Sequence, residues 1–303
     1  MILLFYKYVD IGNPEAIRNW QRALCEKLKL TGRIILAHEG INATLAGPDE
    51  SAHEYVKIMN SHELFGDIDF KTADGDSTAF PKLKISVKEE IVRLGVDPKL
   101  ITVKDTGEYL TPEQTHKLLE ENPEDLIILD TRNDYEWEIG RFTNAILPDI
   151  KTFREFPEYV EKNLESYKDK QVLMYCTGGV RCERATAYLN VKNVAKKVYH
   201  IQGGIQRYIE KFPNGFFRGS NYVFDSRVNV KINTDTLSNC FLCQTPWDQY
   251  INCSNALCNK HLLACPDCTT KYNHTCSQNC QMLIATNQAP ERSKFPATNS
   301  CSL

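Results

Sequence analysis

Between Gln171 and Ala185 the chain runs through a short apolar stretch, one cysteine, two glycines and a helix-favouring segment. Few folds accommodate that order. Gln171 to Tyr175 has the length and apolarity of a strand buried in a parallel sheet. Gly178 and Gly179 let the backbone turn tightly, with no Cβ in the way. From Cys182 onward Ala185, Tyr188 and Leu189 fall at helical spacing. Cys176 is therefore expected beneath converging backbone N–H groups and the positive end of a helix. Both stabilise an anion, so the spacing predicts a thiolate there.

The segments on either side repeat the strand–helix alternation. Thr111-Pro112-Glu113-Gln114 is a helix start, with Thr111 as cap and Gln114 at the third position. Leu126–Asp130 reads as a strand, Asp134–Ile139 as a helix, Ala145–Leu147 as a strand and Phe153–Leu164 as a helix. Lys197–Ile201 is the last strand, and Gly203-Gly204-Ile205 leads into a final helix. This alternation predicts an α/β domain with a parallel sheet covered on both faces, over residues 111–213. Sites in such sheets lie at the carboxyl ends of the strands, where Cys176 falls. Upstream, residues 1–94 read β-α-β-β-α-β, the order of a ferredoxin-like α+β sandwich. Residues 95–110, rich in Gly, Pro, Asp and Thr, read as a linker with a short strand. His38-Glu39 sits on a turn between strands, as a catalytic pair or as a structural or RNA-contacting turn.

Charge is unevenly spread. From Asp105 to Glu138 there are 11 acidic residues against 2 basic ones; from Arg181 to Lys231 there are 10 basic against 3 acidic. The basic block begins at the Cys176 loop, so a positive rim beside a reactive thiol is expected to attract a polyanion. Arg184, Lys192, Lys196, Lys197 and Arg207 are the expected phosphate contacts, with Arg181 beside the thiol. No apolar run reaches membrane-spanning length. The start, Met1 to Lys7, reads as a first strand rather than a signal peptide. A cytoplasmic protein is expected, whose 12 cysteines are thiols or metal ligands rather than disulfides.

Eight of those cysteines form four close pairs within 41 residues: Cys240/Cys243, Cys253/Cys258, Cys265/Cys268 and Cys276/Cys280. Pairs at this spacing let two sulfurs grip one ion from a single turn, and eight thiolates suffice for two tetrahedral sites. Zinc is the expected metal, with reduced or oxidised thiols as the alternative. Sequential and interleaved pairings are both open. The module, residues 214–288, has few aliphatic residues and needs such staples to fold. Residues 289–303, including Cys301, read as a disordered polar tail.

Asp130-Thr131-Arg132 with Glu136 and Gly140, Cys176 through Arg181, and Gly203-Gly204-Ile205 together resemble a rhodanese-like domain. Phosphatases of the related loop type need Cys-x5-Arg. Here Arg181 comes at Cys-x4-Arg, the tighter loop of the sulfurtransferases. By this resemblance Cys176 is the persulfide-bearing cysteine, and Arg181 with the loop amides cradles the sulfur. Asp130 and Arg132 are accessory candidates. Cys182 either resolves a persulfide or simply sits in the first helical turn.

The whole arrangement, with His38-Glu39-Gly40-Ile41-Asn42-Ala43-Thr44-Leu45 and Tyr175 through Glu183, resembles the bacterial tRNA uridine hydroxylase family (TrhO). The resemblance implies oxygen-dependent formation of 5-hydroxyuridine at wobble position 34 of tRNA, with O2 as co-substrate and Cys176 as the active cysteine. The sequence carries no flavin or nicotinamide signature, no haem motif and no 2-His-1-carboxylate iron pattern. The alternatives are a sulfurtransferase that carries a persulfide and a non-catalytic RNA- or protein-binding adaptor.

Overall fold

The computed structural model describes residues 1–292. The chain opens with β1 (Ile2–Tyr8), α1 (Pro14–Lys27), β2 (Thr31–Ala37), β3 (Gly40–Ala46), α2 (Asp49–Asn60), β4 (Lys71–Ala73) and β5 (Leu83–Val87). The Asn13 side chain caps α1 by accepting from the Ala16 amide at 3.0 Å, as Asn-Pro-Glu predicts. The sheet runs β4-β1-β3-β2-β5. Its first four strands are antiparallel neighbours in the ferredoxin-like order, and β5 adds a parallel edge beside β2.

Successive side chains in a strand face opposite ways, and here both faces are used. Leu3, Phe5, Ile34, Ile41, Ala43 and Leu45 pack against Leu24, Tyr55 and Met59 of the two helices. Leu4, Tyr6, Arg33, Ile35, Asn42 and Thr44 point the other way, toward the second domain.

That domain comprises β6 (Glu108–Leu110), α3 (Pro112–Glu121), β7 (Leu126–Asp130), α4 (Asp134–Ile139), β8 (Gly140–Phe142), α5 (Phe156–Lys162), β9 (Gln171–Tyr175), α6 (Val180–Lys192), β10 (Lys197–Ile201) and α7 (Gly204–Lys211). The capping box at Thr111 and Gln114 forms in both directions. The parallel sheet runs β6-β10-β9-β7, with α5 and α6 in the core on one face and α3 and α7 on the other. Residues 95–110, expected as linker, supply the edge strand β6 and a 3-10 turn at Val103–Asp105 that lies on α6; the Asn190 side chain donates to the Asp105 carbonyl at 2.9 Å.

Ala145–Leu147, expected as a strand, makes only a single bridge between Ile146 and Leu129. The strand there is β8, and its partner comes from far downstream. β11 (Phe217–Tyr222) pairs with it antiparallel, and β12 (Asn229–Lys231) pairs with β11. Local pattern could not show this, because β8 gains its hydrogen bonds only when the chain returns about 75 residues later.

The C-terminal module has β13 (Tyr250–Asn252), β14 (His261–Leu263), α8 (Pro266–Lys271) and α9 (Gln278–Ala285). Its buried clusters are built largely of cysteine. It docks on α4 through Tyr250, whose hydroxyl donates to Glu138 at 2.6 Å. The start of the expected tail, residues 289–292, is ordered against the module: Ala289 is buried, and the Arg292 amide donates to the Ser254 carbonyl at 2.7 Å. Cys301 and the remainder lie outside the described residues.

α6 ties the first two domains together. Residues 181–189 are all buried, because the N-terminal domain covers the helix side that solvent would otherwise meet. Arg184, fully buried, pairs with Glu39 at 2.7 Å and Glu90 at 3.6 Å and donates to the Val96 carbonyl at 2.9 Å. Tyr6 donates to Glu183 at 2.9 Å. The Tyr8 hydroxyl donates to the Val180 carbonyl at 3.2 Å. Removing one member of a buried pair strands the other's charge, at a cost of about 3–5 kcal/mol. Arg184→Ala is therefore expected to destabilise the chain by that amount in equilibrium denaturation, and Arg184→Met combined with Glu39→Gln by clearly less. A loss below about 1 kcal/mol for Arg184→Ala would show that the pair is not a brace.

Candidate active site

Cys176 lies at the carboxyl end of β9, directly before the loop into α6. The Gly179 amide donates to its Sγ at 3.1 Å. Gly179 has φ +103°, and a Cβ there would meet the Tyr6 hydroxyl at 2.8 Å, so the site requires glycine on two counts. A second turn holds the loop from the side. Ile205 and Gln206 donate their amides to the carbonyls of Cys176 and Thr177 at 2.9 and 3.0 Å. Gly204, at φ +68°, would place a Cβ 2.5 Å from the Cys176 carbonyl oxygen, which explains the Gly203-Gly204-Ile205 motif.

Burial pushes the Cys176 thiol up. Against it act a hydrogen bond from the Cys182 thiol, the charge of Arg181 and the amides of Arg181 and Cys182, and the net result is a thiol lowered to about 5. The cost of the shift falls on Cys182, whose own thiol is held well above its usual range by burial and by the neighbouring anion. Cys182 thus serves as a proton-holding donor to Cys176, and its sulfur lies 3.7 Å from the Thr131 hydroxyl.

Arg181 does not point freely at a ligand. Its guanidinium makes two bonds to the buried Glu136 carboxylate, both 2.6 Å. It helps the thiolate by charge rather than by direct grip. The Glu136 carboxyl is pulled up by burial, and Arg181 and Arg132 bring it below the usual range. Asp130 and Arg132, expected as accessory residues, pair with each other in the core at 2.7 Å, and Arg132 also donates to the Gly140 carbonyl at 2.6 Å. Both are fully buried and neither borders the cavity, so they hold the end of β7 rather than a substrate.

The thiol opens into a cavity of about 400 Å³ walled by all three parts of the chain. Tyr6, Arg33 and Thr44 come from the N-terminal sheet, Cys176 and Arg181 from the loop, and Phe224 from the segment between β11 and β12. Sequence reasoning missed the sheet wall. The signal was present in the alternation: Arg33, Asn42 and Thr44 fall on the face of β2 and β3 that the helices leave open.

The expected phosphate contacts scatter. Arg184 is fully buried in its pairs with Glu39 and Glu90, so it cannot meet a phosphate. Lys197 aligns with Gln171 at the start of β9, about 16 Å from Cys176 at 3.3 Å per residue. Lys196 pairs with Asp125 at that same far edge, and Lys192 pairs with Glu161 at the far end of α6. Arg207 bridges to Asp69 of the N-terminal domain and to Glu210. A run of basic residues in sequence is thus not a rim in space, because α6 and β10 carry its members away from the loop. His38 and Glu39 also stand outside the cavity. The His38 ring Nδ1 bonds the Ile11 carbonyl at 2.9 Å, and Glu39 accepts from Arg184 and from the Ile91 amide.

The eight paired cysteines close into two quartets in the interleaved arrangement. Cys240, Cys243, Cys265 and Cys268 form one, and Cys253, Cys258, Cys276 and Cys280 the other, with the sulfurs of each within 4.8 Å of one another. Cys243–Cys265 and Cys258–Cys276 stand at 3.6 Å. Four sulfurs around a tetrahedral ion at 2.3 Å would be about 3.8 Å apart. Backbone amides of Cys265 and Cys276 donate to Cys240 and Cys253, each at 3.4 Å, as suits thiolates rather than thiols. Both quartets fit a metal ion.

A thiolate reacts and a thiol does not. Alkylation of native protein by iodoacetamide at Cys176, followed by peptide mass spectrometry, should hold a constant rate above about pH 6 and fall as the pH drops through 5. Cys182→Ala removes a donor to the anion and should move that midpoint to higher pH by on the order of 1. A midpoint near the unperturbed value of about 8.5 would refute the assignment.

Three family models match successive parts of the chain: the UPF0176 acylphosphatase like domain over residues 1–91, the Rhodanese-like domain over 111–211 and the Rhodanase C-terminal over 218–281. A protein named tRNA uridine(34) hydroxylase from Aster yellows witches'-broom phytoplasma (strain AYWB) is 40% identical over 286 residues, 92% of each chain. Another of that name from Streptococcus pyogenes serotype M12 (strain MGAS2096) is 38% identical over 311 aligned positions, 99% of this chain and 92% of that one. Among solved structures, Saccharomyces cerevisiae Ygr203w, a homolog of single-domain rhodanese and Cdc25 phosphatase catalytic domain, covers 38% of this chain and 86% of its own at 13% identity and TM-score 0.31. On the strength of the near full-length match, the chain belongs to the tRNA uridine(34) hydroxylase family.

Proposed function

We propose that this chain is a tRNA-modifying enzyme of the cytoplasm that hydroxylates the wobble uridine, position 34, at C5, and that Cys176 performs the chemistry. The observation that carries the reading is a buried, amide-ringed thiolate opening into a cavity large enough for a nucleotide, in a chain that matches these hydroxylases from end to end. A thiolate adds to C6 of a uracil ring, forming an S–C6 bond and leaving C5 as an electron-rich carbon. O2 supplies one oxygen atom to C5 and the other leaves as water, with an external dithiol, oxidised to its disulfide, giving the two electrons and two protons. Loss of the C5 proton and expulsion of the Cys176 thiolate restore the 5,6 double bond. The wobble base is unpaired, so it enters a cavity without breaking a base pair.

A sulfurtransferase reading has the short Cys-x4-Arg loop in its favour. One experiment separates the two. In cells lacking the protein, wild type should restore 5-hydroxyuridine-derived nucleosides in digested tRNA, Cys176→Ser should restore less than about 1% of them, and anaerobic growth should suppress them. Nucleosides restored at wild-type level by Cys176→Ser would end the cysteine mechanism. Thiocyanate release from thiosulfate and cyanide without any 5-hydroxyuridine would favour sulfur transfer.

For the C-terminal module the reading is one structural zinc ion in each quartet. Metal analysis of protein purified without chelator should return about two zinc ions per chain. Cys253→Ser should remove about one and unfold the module, because binding energy of this kind is folding energy. Metal-free protein of full stability would contradict the assignment.

A further inference from the structure

Six cationic side chains border the Cys176 cavity, and they fall into two groups. Lys71, Arg181 and Arg227 are committed to carboxylates, pairing with Asp69, Glu136 and Asp225. Arg33, Arg93 and Arg154 are exposed and make no ion pair or side-chain hydrogen bond among the described residues. They come from three separate places: β2, the segment after β5, and the 3-10 turn at Phe153–Glu155 that precedes α5. An uncommitted arginine on a surface is ordinary. Three of them, delivered to one cavity by elements about 60 residues apart in sequence, place a concentrated positive field around a mouth whose floor is a thiolate. Their charge is available to a ligand that carries several anionic groups and arrives from outside.

Phe224 supplies the other half of the recognition. It is 51% exposed on the segment that links β11 to β12. Two contacts keep the segment in place: the Ser226 amide donates to the Ala79 carbonyl of the N-terminal domain at 3.0 Å, and the Val223 amide donates to the Val228 carbonyl at 2.8 Å. The ring packs edge-on against Tyr222 at 5.3 Å, and the Arg181 guanidinium stands 6.0 Å from its centroid. Through Arg181 it is tied to the same loop that holds Cys176. A large apolar ring with an open face beside a buried reactive group has a clear complement in the flat face of a nucleobase.

We infer that Phe224 stacks on the base of a single nucleotide extruded from an RNA loop, while Arg33, Arg93 and Arg154 take the phosphates on either side of it. The ligand class is single-stranded RNA bearing an unpaired pyrimidine. The inference rests on the reading of the site as a tRNA uridine-modifying centre and adds to it the residues that seat the nucleotide. It also replaces the basic run of α6 and β10, whose arginine is buried and whose lysines lie at the amino ends of the strands, away from Cys176, with a cluster that the sequence disperses.

The test measures binding of full-length protein to an anticodon stem-loop RNA with uridine at position 34, alongside the same RNA with an abasic wobble position. Phe224→Ala should weaken the uridine probe by roughly 5- to 150-fold, the range seen for one lost base–aromatic stack, and leave the abasic probe unchanged. Phe224→Tyr should restore uridine binding. Arg33→Ala, Arg93→Ala and Arg154→Ala combined should weaken both probes and lower the slope of log affinity against log salt by about 2, at about 0.7 per phosphate. Lys196→Ala with Lys197→Ala should leave both affinities and the slope in place. Equal loss on both probes for Phe224→Ala would overturn the stacking role. An unchanged salt slope in the triple variant would overturn the phosphate role, as would failure of the wild-type chain to bind the stem-loop. Nucleoside analysis of complemented cells reports separately on the hydroxylase reading, so failure of one idea is distinguishable from failure of the other.

Discussion

The buried pair of Arg184 with Glu39 is what the site depends on. α6 carries Cys176's loop at its N-terminus and Arg184 less than two turns further on. An arginine that is fully buried must be neutralised, and its counter-charges, Glu39 and Glu90, belong to the N-terminal part of the chain. The pair therefore fixes the N-terminal sheet against the helix that presents the thiolate. Tyr6 and Tyr8 of β1 add hydrogen bonds to Glu183 and to the Val180 carbonyl on the same helix. Once these are made, the open sheet face has no direction to look in except over Cys176.

This explains why a small α+β domain precedes the rhodanese-like one. On its own the parallel sheet would present Cys176 at an open edge, as a loop of amides over a sulfur. The added sheet turns that edge into a walled cavity and shields the thiolate from bulk water. Within the loop the electrostatics divide the work. Burial opposes the anion, and Arg181, the Cys182 thiol and the amides outweigh it. Glu136 holds Arg181 in place through two short bonds, so the positive charge acts from a fixed position.

Much of this was legible in the residues. Strand, cysteine, Gly-Gly turn and helix could be read directly, because a buried strand and a tight turn have strong local signatures. The cysteine pairs pointed to quartets that could hold a metal ion, since two to four intervening residues suit a knuckle. Which pairs combine was not legible: 240/243 with 265/268 and 253/258 with 276/280 follow from how β13 and β14 fold back between them. Charge was the least legible property. The basic residues from Arg184 to Lys197 are close in sequence, yet one is a buried brace and three lie toward the end of the domain opposite Cys176, at the last turn of α6 and the start of β10. Arg33, Arg93, Arg154 and Phe224 are far apart in sequence and meet at one cavity.

The residues by themselves determined the local chemistry: most of the strands and helices of the first two domains, the glycine-dependent loop under Cys176, and sulfur pairs spaced for metal. These depend on backbone preference and short-range periodicity, which a linear chain contains. Only the tertiary structure decided what surrounds the thiolate. The wall of the cavity, the partner of Arg184, the strand opposite β8 and the meeting of Arg33, Arg93 and Arg154 at one cavity all bring together segments distant in sequence. Such contacts are selected by burial and charge pairing after the domains close on one another, and no local pattern records them.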